Sequence, residues 1–174
     1  MRIEGSSTEG GEIERRARAV RLAIFDVDGV LTDGTLYWGP RGEALKVFNI
    51  LDGHGLKLLQ ASGVSTAIIS GRKSAAVAHR ARELGIAHVI QGTGDDKVPA
   101  FEKLIARMKV GANACSFMGD DIQDLPLMSR CGFAVAVANA VDAVKSAAHY
   151  VTRAHGGRGA VREFCDLVLR ARGG

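Results

Sequence analysis

The chain has 174 residues, 47% hydrophobic and 24% charged, the balance of a single soluble domain able to bury a core without disulfides. Its net charge is only +4 and its aromatic content 5%, which argues against the dense basic, aromatic-rich surface of a nucleic-acid binder and suits a small anionic ligand. No apolar run approaches the ~20 residues of a membrane span, the N-terminus has no apolar signal core, and Cys115, Cys131 and Cys165 stand far apart without a CxxC pair, as in a cytosolic protein with reduced, buried thiols.

Residues 1–11 are rich in Gly, Ser and Glu and are expected to be disordered, and 12–20 read as a short charged helix. Together they form a leader over 1–20, ahead of a single domain over 21–174. The apolar run Leu22-Ala23-Ile24-Phe25 opens a buried strand over 22–27, stopped by Gly29. Asp26 and Asp28 stand at i and i+2, which on an extended chain point to one side. Two crowded carboxylates repel each other and are costly to desolvate. They are tolerated if a cation neutralises them or if chemistry needs them. Asp26 reads as a nucleophile and Asp28 as its acid/base partner beside a divalent metal; a polar turn capping a helix is the plainer alternative.

Thr35-Leu36-Tyr37-Trp38 and Ala44-Leu45-Lys46-Val47-Phe48 flank Gly39-Pro40-Arg41-Gly42-Glu43, which predicts a hairpin over about 33–48. An isolated two-stranded ribbon is unstable and needs something to pack on. Helices are predicted over 52–60, 74–84, 97–108, 121–128, 142–147 and 160–170. Strands are predicted over 64–69, 87–90, 114–118, 132–136 and 149–151. This alternation predicts an α/β fold, a Rossmann-like, mainly parallel sheet with helices on both faces. Ligands of such sheets bind beyond the C-terminal strand ends. There the chain carries Asp26 and Asp28, then Ser70, then Lys97 at a helix start, then Asp120, Asp121 and Asp124. Each alone reads more simply as a cap or a solvated charge; in this order, together, they do not.

In order and placement, Asp26-Val27-Asp28-Gly29-Val30, Ser70, Lys97 and Gly119-Asp120-Asp121 with Asp124 resemble the four motifs of the haloacid dehalogenase-like superfamily of aspartyl-phosphate phosphatases. The resemblance implies a Mg²⁺ held by the Asp26 carboxylate, the Asp28 backbone carbonyl and the Asp120 carboxylate. Asp121 and Asp124 would orient those ligands. Lys97 would hold the nucleophile and a phosphate oxygen, and Ser70 another phosphate oxygen. Asp28 would protonate the leaving alcohol and then activate water. A phosphate monoester resists anionic attack, so this neutralisation is what an Asp nucleophile requires.

Neither gap between motifs has room for a cap domain. Among capless members the chain resembles the 3-deoxy-D-manno-octulosonate 8-phosphate phosphatases. The resemblance is carried by residues 26–34, Lys46-Val47-Phe48-Asn49, Asp52-Gly53-His54-Gly55, Ser70-Gly71-Arg72-Lys73-Ser74, Asp124-Leu125-Pro126 and Gly156-Gly157-Arg158-Gly159-Ala160-Val161-Arg162-Glu163. It implies a role in lipopolysaccharide precursor synthesis and a homotetramer whose hairpins form a central barrel, a neighbour completing each site. Gly71, Arg72, Asn49, Asp52 and Arg158 become candidates for binding an acidic sugar phosphate, with Lys73, Arg162 and His54 behind them. The glycines of the tail, about 153–174, are expected to let it fold over substrate, or simply to link to the last helix. The rival readings are a phosphatase of a nonulosonate (sialic acid type) 9-phosphate, a catalytically silent regulatory module, and a response-regulator receiver.

Overall fold

The computed structural model describes residues 6–173. In chain order the elements are α1 (Ser6–Ala19), β1 (Leu22–Phe25), β2 (Tyr37–Gly39), β3 (Gly42–Leu45), α2 (Ile50–Ala61), β4 (Ser65–Ser70), α3 (Ala75–Glu83), β5 (His88–Gln91), α4 (Val98–Met108), β6 (Cys115–Gly119), α5 (Leu125–Met128), β7 (Phe133–Ala136), α6 (Asp142–Ala147), β8 (Tyr150–Val151) and α7 (Ala160–Ala171). Single 3-10 turns lie at Ala112–Ala114 and Ile122–Asp124.

Six strands pair in parallel in the order β5-β4-β1-β6-β7-β8. The expected α/β class is the observed one. β1, β6 and β7 are buried along their whole length, as in a sheet covered on both faces. The helix layers follow from right-handed crossovers between parallel strands. α2, α3 and α7 share a layer, with α1 on α7. Gly53 and Gly55 permit this: a Cβ on Gly53 would stand 3.0 Å from Leu84, and one on Gly55 3.2 Å from the Arg162 backbone. α5 touches α4 and α6 in the other layer. Phe164 of α7 meets Phe25 edge-on, centroids 5.7 Å apart, tying β1 to its helix cover.

The strand order places the site. From β1 the chain runs outward to β4 and β5, then returns to β6 on the other side of β1 and continues to β7 and β8. The crevice at this reversal opens past the C-terminal ends of β4, β1 and β6. Ser70 ends β4, Asp26 follows β1, and Asp120 follows β6.

Several boundaries differ from those expected. β1 stops at Phe25 instead of 27, so Asp26 and Asp28 lie on a loop and not on a strand. Asp26 N–H still donates to the Met118 carbonyl at 3.1 Å; beyond it the chain turns, with Gly29 at φ +92° and Thr32 Oγ1 accepting from Gly29 N–H (3.3 Å) and Gly34 N–H (3.2 Å). The hairpin is shorter than expected, with a two-residue turn at Pro40-Arg41 and a bulge between Tyr37 and Trp38. The leader is helical from Ser6; residues 1–5 of the expected disordered stretch lie outside the described residues. α1 holds because Ala17 is buried, Arg18 Nε donates to the Ala171 carbonyl at 2.7 Å, and Arg16 reaches the Gly132 carbonyl. No helix among the described residues is long and apolar enough to cross a membrane.

Candidate active site

Asp26 is 3% exposed at the floor of the crevice. Lys97, the N-cap residue of α4, is turned inward: its Nζ lies 2.9 Å from Asp26 Oδ1 and 2.7 Å from Asp124 Oδ1. Burial pulls this lysine towards its neutral form, but the two carboxylates outweigh it and hold it above the ordinary lysine range. Asp26 is pushed up to about 6 by burial, against the pull of Lys97. Lys97 thus favours the ionised form that a nucleophile needs, against the pull of burial.

Asp120 completes an acidic pocket. One carboxylate oxygen each of Asp26, Asp120 and Asp124 lie within 4.8 Å of one another. Asp124, fully buried, accepts Asp120 N–H at 3.0 Å and Asp121 N–H at 3.3 Å, so it shapes the turn after β6 while pairing Lys97. Asp120 Oδ1 is buried and has no hydrogen-bond partner among the described residues. Burial, then Asp26 and Asp124, push Asp120 up to about 8. Gly29 leaves room for this carboxylate: a Cβ there would stand 2.0 Å from Asp120 Oδ2. Hard oxygen donors, an unpartnered buried carboxylate oxygen and excess negative charge fit a divalent cation such as Mg²⁺. Asp121 is exposed and caps the 3-10 turn by accepting Ile122 N–H at 2.7 Å.

The cleft over this floor is lined by Asp26, Asp28, Ser70, Gly71, Arg72, Gly94, Asp95 and Gln123. Gly71 lets the loop after β4 close on Gly94, whose carbonyl would stand 2.7 Å from a Cβ. Arg72 reaches over the opening, Nε 3.8 Å from Asp28 Oδ2, its guanidinium 5.5 Å from the Trp38 ring centroid. The hairpin thus leans over the cleft of its own subunit.

Other residues expected here are not brought to the cleft. Asn49 is the N-cap of α2, accepting Leu51 N–H at 2.8 Å. Asp52 is buried and accepts Arg162 N–H (2.8 Å) and Gly159 N–H (3.3 Å), anchoring the start of α7. Arg158 is exposed and pairs with Asp33 at 3.2 Å. Arg162 pairs with Asp166, Lys73 lies across Gly92, and His54 is exposed. The tail glycines pack closely: Gly157 N–H donates to the Val30 carbonyl at 2.9 Å, and a Cβ on Gly156 would stand 1.7 Å from the Gly29 carbonyl oxygen. They fix the tail against the Asp26–Asp28 loop.

Sequence reasoning missed Lys46 and Glu43. The Lys46 ammonium bonds Asp28 Oδ1 and lies 3.1 Å from Glu43 Oε2. Its signal was a lone charged residue set between the apolar Leu45 and Val47 just past β3. Asp95 and Gln123 carried none.

Residues 87–164 match the haloacid dehalogenase-like hydrolase family. The chain is 46% identical over 160 residues to the 3-deoxy-D-manno-octulosonate 8-phosphate phosphatase KdsC of Yersinia pestis, covering 92% of this chain and 85% of that protein. Among solved structures it superposes on a probable YrbI family phosphatase from Pseudomonas syringae with TM-score 0.91 and 52% identity, covering 94% of this chain and 92% of that one. It also superposes on the 3-deoxy-D-manno-octulosonate 8-phosphate phosphatase of Moraxella catarrhalis, solved with magnesium, phosphate and KDO, with TM-score 0.90 and 41% identity over 94% and 93% of the two chains. The chain belongs to the haloacid dehalogenase-like superfamily, and within it to the family of the 3-deoxy-D-manno-octulosonate 8-phosphate phosphatases.

Proposed function

We propose that this chain is a Mg²⁺-dependent phosphatase that hydrolyses 3-deoxy-D-manno-octulosonate 8-phosphate to the free sugar acid and phosphate, a step towards lipopolysaccharide. The observation that carries the reading is the buried Asp26–Lys97–Asp124 cluster beside the unpartnered Asp120 oxygen, open to a cleft edged by Arg72. The Asp26 and Asp120 carboxylates and the Asp28 carbonyl would hold Mg²⁺, which when bound offsets the charge of the phosphate.

Lys97 holds Asp26 ionised and aimed into the cleft. An Asp26 oxygen attacks phosphorus; the bond to the sugar oxygen breaks, and Asp28 gives that oxygen its proton. Water then attacks the aspartyl-phosphate, Asp28 takes its proton, and phosphate leaves with Asp26 restored. Ser70, buried at the end of β4, donates to a phosphate oxygen. Arg72 meets the sugar carboxylate, since a guanidinium pairs with a planar carboxylate by two parallel bonds. Asp121 and Asp124 support the turn that carries Asp120.

The assembly is a homotetramer in this reading. Trp38, Leu45, Val47, Ile50 and Leu51 are each about half exposed or more, on the ribbon and the helix start beside it. Apolar surface concentrated on one ribbon is suited to covering by a second copy. The protein is cytoplasmic in this reading, and the three free cysteines suit a reducing compartment.

A phosphate-release screen with and without Mg²⁺, comparing the eight-carbon and nine-carbon sugar acid phosphates, tests the assignment. Preference for the eight-carbon ester supports it. Preference for the nine-carbon ester transfers the chain to the nonulosonate enzymes, and no release from either leaves a non-catalytic module. Light scattering of the purified protein reads the tetramer, and a monomer would contradict it.

A further inference from the structure

The segment returning from the hairpin turn, the end of β3 and the residues just past it, carries an inverted pattern. Leu45 and Val47 are 49% and 53% exposed, whereas the Lys46 side chain between them is 3% exposed. Lysine ordinarily keeps its ammonium in water, and burial is costly unless the charge is paired. Lys46 is paired twice, by Asp28 Oδ1 and by Glu43 Oε2. Glu43 is fixed in turn: Ser74 Oγ donates to its Oε1, and Arg72 Nη2 stands 3.9 Å from its Oε2. Ser74 is the N-cap of α3, so the chain of contacts starts on the rigid fold. It passes through the hairpin and ends on a carboxylate in the cleft.

We propose that Lys46 is a positioning residue that orients the Asp28 carboxyl for proton transfer to the leaving group. Lys46 engages Oδ1, while Oδ2 lies 3.8 Å from Arg72 Nε, and both Asp28 and Arg72 line the cleft. An untethered aspartate would sample several rotamers and spend little time in reach of the leaving oxygen. The hairpin that stands where other members carry a cap thereby controls leaving-group departure within its own subunit. The inference rests on Asp28 being the acid/base group, and the test separates the two claims.

Lys46→Met, Glu43→Gln and Asp28→Asn are assayed on 3-deoxy-D-manno-octulosonate 8-phosphate and on 4-nitrophenyl phosphate. The alkoxide of the sugar needs a proton to leave; the nitrophenolate does not. The readout is kcat/KM, which covers the steps through phosphorylation of Asp26 and is blind to its hydrolysis. General acid catalysis is worth on the order of 10²–10⁴. Lys46→Met should lose about tenfold or more on the sugar phosphate and less than about threefold on the nitrophenyl ester, within that range. Glu43→Gln, which loosens the anchor of Lys46 without unpairing Asp28, should show the same selectivity more weakly, and Lys46→Arg should recover most of the loss. Asp28→Asn should show the selectivity most strongly. Equal losses on both esters, or none, in Lys46→Met and Glu43→Gln overturn the role of Lys46 while a selective Asp28→Asn upholds the acid/base reading. Absence of selectivity in Asp28→Asn overturns both.

Discussion

Lys97 Nζ lies 2.9 Å from Asp26 Oδ1, with both side chains withdrawn from solvent. The same ammonium serves Asp124 at 2.7 Å, so one cation stabilises the nucleophile and the carboxylate that shapes the Asp120 turn. Replacing it by Lys97→Met strands two buried carboxylates. Removing one partner of a buried ion pair costs about 3–5 kcal/mol. Urea unfolding without Mg²⁺ should show a loss of that order, and turnover should fall by about hundredfold or more. An unchanged unfolding midpoint would contradict the pairing.

Gly29 and Asp120 make a second test. Gly29→Ala places a Cβ 2.0 Å from Asp120 Oδ2 at a φ of +92°, so both the carboxylate and the backbone must shift. A strained backbone of this kind costs about 1–3 kcal/mol. The Mg²⁺ concentration for half-maximal phosphate release should rise. A variant with unaltered metal dependence would show that Asp120 does not depend on this gap.

The raised carboxyls set a pH dependence for the metal-free protein. Burial first, then Asp26 and Asp124, lift Asp120 from 3.8 to about 8, and burial lifts Asp26 to about 6 against Lys97. Between about pH 4 and pH 8 these two carboxyls bind more protons in the folded chain than in the unfolded one, so their contribution to stability falls as pH rises. Melting temperature should drop from about pH 5 to about pH 8, and Asp120→Asn should flatten the slope. Mg²⁺ should raise the melting temperature most at the alkaline end, where the site carries most negative charge. A melting curve that rises across this window would contradict the assignment.

Asp52 separates architecture from chemistry. It accepts the Gly159 and Arg162 backbone N–H groups, the work of a helix cap supplied from far along the chain. Asp52→Ala should cost about 1–2 kcal/mol of stability, the range of a lost cap. KM for the sugar phosphate should change little. A large rise in KM with unchanged stability would return Asp52 to the substrate.

Much of the site was legible because apolar runs locate parallel strands, and strand ends locate the crevice. Asp26, Ser70, Lys97 and Asp120 converge there as expected. Asp52 was not legible, because its partners are backbone groups brought near only by α2 packing on α7. Gly156 and Gly157 read as a flexible stretch from composition, yet their missing side chains serve close approach to the Asp26–Asp28 loop. The Gly- and Ser-rich start of α1 misled in the same way, since burial of Ala17 and the reach of Arg16 and Arg18 depend on the folded sheet.

The most direct test of the account is phosphate release by Asp26→Asn, assayed with Mg²⁺ beside the wild-type protein and checked for folding by circular dichroism. The account predicts a folded protein whose release falls to background and which forms no phospho-protein detectable by mass spectrometry. A folded Asp26→Asn protein that turns over at the wild-type rate would contradict it.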